Sequence, residues 1–202
     1  MSLDWSSLVS ISGNSVQNSG YTAIELWGSS NVTVEDNILV NSGEQGIELW
    51  SMSETDIRSN IVNNNGGVGI LILESGFHSK IINNTVNRND GGGINITSSD
   101  DTLVAGNTLN SNKGYGISLT CSVEVEGFEG VDAGAASSNE LIENFITAST
   151  NAAEVYIGEE CGATVLKGNL AADNEDDQLL IDNRSPMTLI SSDNVPNFVS
   201  SI

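Results

Sequence analysis

Two tryptophans each stand two residues after a glutamate, in two copies of one tetrapeptide: Ile24-Glu25-Leu26-Trp27 and Ile47-Glu48-Leu49-Trp50. An indole face can stack on a pyranose ring, and a neighbouring carboxylate accepts hydrogen bonds from sugar hydroxyls. Two glutamates at a separation of about 5 Å could also serve as the carboxylate pair of a retaining glycoside hydrolase. Glu25, Trp27, Glu48 and Trp50 are therefore the candidate substrate-binding residues. The competing reading covers the tryptophans with an N-terminal segment or a second subunit and leaves the glutamates at its solvated rim.

Acidic clusters suggest a second chemistry. Glu124, Glu126, Glu129 and Asp132 lie close together, Glu159 and Glu160 follow, and "DNEDD" supplies Asp173, Glu175, Asp176 and Asp177. Calcium takes about six to eight oxygen ligands from such groups. Glu124, Glu126, Glu129 and Asp132 are thus the candidate Ca2+ ligands. No cluster has a tight D-x-D-x-D-G spacing, and a solvated acidic face is the alternative. His78, two residues before Lys80, could pair a base with an electrophile; a surface histidine is the plainer reading.

These residues need a scaffold, and the sequence repeats to supply one. Residues 37–50 read "NILVNSGEQGIELW" and residues 14–27 read "NSVQNSGYTAIELW"; eight of fourteen positions agree, 23 residues apart. Asn14, Asn37, Asn60, Asn84, Asn107, Asn144, Asn169 and Asn194 mark successive copies, with spacings of 23, 23, 24, 23, 37, 25 and 25. Apolar residues alternate before and after each anchor, as in Val32/Val34, Leu39 and Ile47/Leu49. Period-two apolar runs this short mean short strands with one buried face. Each copy therefore reads as three strands and three bends, with glycines such as Gly43 and Gly46 at the bends.

A unit of this size cannot bury its own apolar face. Stacked copies can, if each strand pairs in parallel with its counterpart about 4.8 Å away. The asparagines would then form a ladder, their amides bonding one another and nearby backbone. An antiparallel sandwich does not explain a fixed period with an asparagine in phase, and the signature of leucine-rich repeats does not fit.

The composition agrees with this all-β reading. The 202 residues carry 27 acidic and 6 basic side chains, a formal net charge of −21, and 38% hydrophobic residues. So acidic a surface repels nucleic acid and anionic membranes. No apolar run is long enough to span a membrane. The chain looks exported, extracellular or periplasmic. Of its two cysteines, Cys121 opens an insertion at 121–136 within the 37-residue step, and Cys161 sits at the corresponding bend of the next coil. Neighbouring coils bring such bends close, which permits a disulfide; two buried thiols are the alternative.

The pattern resembles the right-handed parallel β-helix family, whose short repeats read like "N-x-I-x-N-N-x-x-x-G-I-x-L". Residues 8–119 carry it strongly, as in "SNIVNNNGGVGILIL" at 59–73, and residues 138–202 more loosely. The resemblance implies one single-stranded β-helix over residues 1–202, about 7–8 coils of 23–25 residues. An abrupt start makes it a piece of a longer protein or an end covered by another subunit.

The resemblance also implies a working face on the third strand of each coil, but the family's catalytic motifs are missing. No Lys or Arg lies in the third-strand columns, where uronate lyases carry their base. The Gly-His-Gly and Arg-x-Lys motifs of polygalacturonases do not occur. "RSPMTL" places Arg184 and Pro186 like a pectate lyase but has Leu189 where the second arginine belongs. His78 lacks the Asp-Pro-His-Glu context of mannuronan epimerases. The expected function is a non-catalytic carbohydrate-recognition or surface-interaction module. The rivals are a polysaccharide lyase or glycoside hydrolase and a structural or adhesin repeat. The expected partner is a polysaccharide or a protein surface. A homo-oligomer through the N-terminal end or the Trp27/Trp50 patch is a further expectation.

Overall fold

A computed structural model describes residues 1–74, 78–121, 138–150, 153–159, 161–172, 181–194 and 200–201. Every strand pairing among them is parallel, and each joins a strand to its counterpart one coil away. Three sheets result. The first-strand sheet runs from Ser7–Ser12 through Ser30–Glu35 and Ser53–Arg58 to Leu189–Ile190. The second-strand sheet runs from Ser15–Gln17 to Leu170–Ala172. The third-strand sheet runs from Ser2–Asp4 through Ile24–Trp27 and Ile47–Trp50 to Ser200–Ser201. The chain is thus an all-β parallel solenoid of about seven turns. Among the described residues no helix is long and apolar enough to cross a membrane.

The core is built of columns. In the third-strand sheet Ile24, Ile47, Ile70, Ile94 and Ile117 align in register, and beside them stand Leu26, Leu49, Ile72, Ile96 and Leu119. All ten are at most 1% exposed. Each such burial contributes about 1.5–3 kcal/mol, which no single coil could collect alone.

The anchor asparagines form an unbroken amide ladder. Each side-chain Nδ2 donates to the Oδ1 of the next coil's asparagine at 2.9–3.0 Å, from Asn14 through Asn37, Asn60, Asn84, Asn107, Asn144 and Asn169 to Asn194. The same Oδ1 also accepts the backbone N–H of the preceding coil's asparagine, as Asn60 Oδ1 does from Asn37 at 3.0 Å. The second amide hydrogen goes to a backbone carbonyl, Val34 in the case of Asn60. A bend that turns its polar backbone inward is thereby satisfied without water.

The residue before each of the first seven anchors has positive φ: Gly13, Asp36, Ser59, Asn83, Gly106, Glu143 and Gly168. That left-handed corner turns the chain between the first and second strands. Only three of the seven are glycine, so the ladder stabilises a conformation that costs an ordinary residue about 1–2 kcal/mol.

Candidate functional site

Strand alternation aims the glutamates and tryptophans. Because Ile24 and Leu26 point inward, Glu25 and Trp27 point out, and the parallel register sets Glu25 opposite Glu48 and Trp27 opposite Trp50. The indoles stack with centroids 4.8 Å apart and planes 11° from parallel. The centroid separation is the strand spacing itself, so the stack follows directly from the register.

Each indole is then locked. Trp27 Nε1 donates to Glu25 Oε1 at 3.0 Å, and Trp50 Nε1 donates to Glu48 Oε1 at 3.1 Å. Glu48 Oε2 accepts Gln45 Nε2 at 3.0 Å and Thr22 Oγ1 at 3.3 Å. The motif of a glutamate two residues before a tryptophan is therefore a clamp that fixes the ring, with carboxylate lone pairs left beside it. Trp27 is 39% exposed and Trp50 is half-buried.

Beyond Trp50 the same two outward columns continue as Leu71/Leu73, Asn95/Thr97 and Ser118/Thr120. Thr97 and Thr120 share a hydroxyl–hydroxyl hydrogen bond of 2.9 Å. A second aromatic pair follows. Tyr115, in the bend before Ile117–Thr120, stacks on Tyr156 with centroids 4.7 Å apart and planes 22° from parallel. The Arg184 guanidinium lies 5.3 Å from the Tyr156 ring centre, a cation–π distance, and pairs with Asp182 at 3.1 Å. Burial pushes the Tyr115 phenol above its ordinary value, and Tyr156 and Asp182 add to the shift against Arg184. Tyr115 is therefore a neutral hydroxyl at physiological pH.

His78 lies on another face. Its Nε2 is 3.0 Å from the Asp101 carboxylate, beside a cleft of about 360 Å³ lined by Glu54, Thr55, Asp56, His78 and Lys80. Arg58, on the same sheet, is held by Glu35 at 2.6 Å and Asp56 at 2.7 Å.

With three parallel sheets and an amide ladder described, comparison with known proteins places the fold. The profile of the family described as right-handed β-helix region matches residues 2–127, more than half of the 202. The chain belongs to the right-handed β-helix family.

Solved β-helices agree. The chain is similar to the periplasmic alginate epimerase AlgG, at 18% identity and TM-score 0.62, over 90% of this chain and 47% of that one. It is similar to the Azotobacter vinelandii mannuronan C-5 epimerase AlgE4 A-module at 12% identity and TM-score 0.62, over 90% and 57%. The AlgE6 A-module of the same organism gives 15% identity and TM-score 0.57, over 97% and 57%. This β-helix thus spans about half the length of these structures, and at such identities the likeness shows the fold alone. Comparison with curated protein sequences found no match.

On this β-helix the four residues Glu25, Trp27, Glu48 and Trp50 form one patch. Cys121 and Cys161 are joined by a disulfide, with Cα atoms 4.9 Å apart. The candidate calcium ligands Glu124, Glu126, Glu129 and Asp132 lie outside the described residues, as do Glu160, Asp173, Glu175, Asp176 and Asp177. Glu159 is exposed. Among the described residues no group of three or more His, Cys, Asp or Glu is arranged to hold a metal ion.

Two features escaped the sequence motifs. One is a second amide ladder, Asn65 to Asn89 to Asn112, with 3.0 Å between successive side chains. Its signal was the five-residue offset from Asn60, Asn84 and Asn107. The other is the Tyr115–Tyr156–Arg184 stack, whose members occupy a bend, a strand and the residue after a strand.

Proposed function

We propose that this β-helix is a non-catalytic carbohydrate-recognition module that binds through the outer surface of its third-strand sheet. The observation that carries this reading is the Trp27–Trp50 stack, with each indole N–H clamped by the glutamate two residues before it. A rigid aromatic surface beside fixed acceptors suits sugar rings, which present apolar faces and hydroxyl edges. Little conformational entropy is lost on binding, because the rotamers are already set.

The same bonds favour recognition over hydrolysis. Glu48 accepts three donors across its two oxygens, and Glu25 accepts one indole. A general acid must carry a proton that it can deliver to a leaving oxygen. Here the carboxylates serve as orienting acceptors. The solved relatives AlgG and AlgE4 are named for alginate and mannuronan, which supports a polysaccharide as the partner. An extracellular or periplasmic location is supported by the periplasmic AlgG and by the Cys121–Cys161 disulfide.

Glycan binding followed by tryptophan fluorescence tests the proposal. Binding is expected in the wild-type chain and lost by at least about tenfold in Trp50→Ala, consistent with removing an aromatic anchor. Unchanged affinity in Trp50→Ala would refute it. So would release of an unsaturated uronate product from alginate or pectate, which would make the protein a lyase.

A further inference from the structure

The third-strand face carries aromatic pairs at both ends of a low floor, formed by Leu71 and Leu73 and then by Asn95, Thr97, Ser118 and Thr120. We propose that it takes an uncharged polysaccharide laid along the solenoid axis, held at Trp27–Trp50 and again at Tyr115–Tyr156–Arg184. This rests on the carbohydrate reading of the tryptophan patch and adds a second station and a substrate class.

Spacing is the first argument. From Trp50 the register steps to Leu73, Thr97 and Thr120, and one further coil reaches the strand of Tyr156. Four inter-strand steps of about 4.8 Å span about 19 Å. If one sugar ring is seated per coil, a glycan crosses the four steps with about five units. The two stations are thus bridged by a short oligosaccharide and not by a monosaccharide.

The floor is the second argument. Position 92 is glycine, where the preceding coil has Val68 and the following coil has Tyr115. A Cβ there would come within 3.2 Å of Asn95 Oδ1, and the φ of +133° disfavours any other residue. Gly92 is itself buried, and the Asn95 side chain and the Tyr115 carbonyl fill the space beside it. The Asn95 Oδ1 is buried and accepts no hydrogen bond within the protein. An unpaired buried acceptor costs about 1–3 kcal/mol, and a sugar hydroxyl would relieve it once the half-buried Asn95 side chain turned its amide outward. Thr97 and Thr120 offer hydroxyls on the same floor.

Charge is the third argument. Glu25, Glu48 and Asp182 project from this face, while Lys113 is paired with Asp90 at 2.8 Å and Arg184 with Asp182 at 3.1 Å. The whole chain carries −21. A polyuronate would bring a carboxylate per sugar into that field, with no uncommitted cation on the floor described to receive it. An uncharged chain meets the same stacks and acceptors without that repulsion.

The test uses the full chain and its tryptophan fluorescence. Trimers and hexamers of β-glucan, mannan and galactan are titrated beside polymannuronate and polygalacturonate of matched length, at low and high salt. At least one uncharged hexamer should bind about tenfold or more tightly than its trimer. Tyr156→Ala should remove that length gain and leave the trimer unchanged, whereas Tyr156→Phe, which keeps the ring, should retain it. Polyuronates should bind at least about tenfold more weakly than the best uncharged hexamer at low salt. A polyuronate that outbinds every uncharged chain, or a length gain that survives Tyr156→Ala, overturns the inference and leaves the tryptophan reading intact. If no glycan perturbs the tryptophans, the underlying carbohydrate reading falls and this inference with it.

Discussion

Replacing Asn84 by alanine removes one rung from the middle of the amide ladder. Asn84 Nδ2 donates to Asn107 Oδ1 at 3.0 Å and to the Ile57 carbonyl at 2.9 Å, while its Oδ1 accepts the Asn60 backbone N–H at 2.9 Å and Asn60 Nδ2 at 3.0 Å. Alanine leaves the Asn60 N–H buried without its acceptor, at about 1–3 kcal/mol, and forfeits two donated bonds of about 1 kcal/mol each. The expected loss is about 3–5 kcal/mol, read as a shift of the urea midpoint followed by circular dichroism. For a chain of this size that corresponds to a melting temperature lower by roughly 6–20 °C. Asn14→Ala is the internal control. Asn14 is half-buried at the ladder's end and donates its amide to Asn37 and Ser12. Its loss forfeits two donated bonds, one of them exposed, and strands no buried N–H, so it should cost about 2 kcal/mol or less. Equal, small effects at the two positions would refute the claim that the ladder holds the coils together.

Two further perturbations probe the same scaffold. Opening the disulfide with Cys121→Ser and Cys161→Ser frees a loop of separation 40, and chain entropy puts the loss at about 4 kcal/mol, measurable by denaturant titration against the wild type. In the second ladder, Ser149 stands where the previous coil has Asn112, and the buried Glu154 stands where it has Gly116. Glu154 Oε1 accepts the Ser149 N–H at 3.0 Å, and its Oε2 accepts the Ser149 hydroxyl. The pair thus replaces an asparagine–glycine pair. Ser149→Asn and Glu154→Gly should each destabilise, and the double variant should recover at least about 1 kcal/mol of the summed loss in a double-mutant cycle.

The first ladder was legible because it repeats one residue type at every coil. A buried amide recurring in phase has few explanations other than stacking. The Trp27–Trp50 patch was legible for the same reason, since identical tetrapeptides in register must place identical side chains together. What escaped was whatever changed identity from coil to coil. The left-handed corner before the first seven anchors is carried by Asp36, Ser59, Asn83 and Glu143 as well as by glycine, so no glycine signal marks it. The Tyr115–Tyr156 contact joins a bend residue to a strand residue, which alternation within strands does not foretell. Ser149 and Glu154 exchange roles across five positions, and only the packed interior reveals that the two substitutions answer one another.

The hydrogen bond that the Asn107 amide donates to Asn144 Oδ1 is 3.0 Å long, like those between asparagines only 23 residues apart, although 37 residues separate the pair. Pitch and contour length are therefore decoupled in this molecule. A corner can absorb extra polypeptide while the cross-section above and below it keeps its shape. Grafted segments at other corners should leave the tryptophan and tyrosine stations where they stand, which makes the rod a ruler onto which new recognition elements can be hung at fixed intervals.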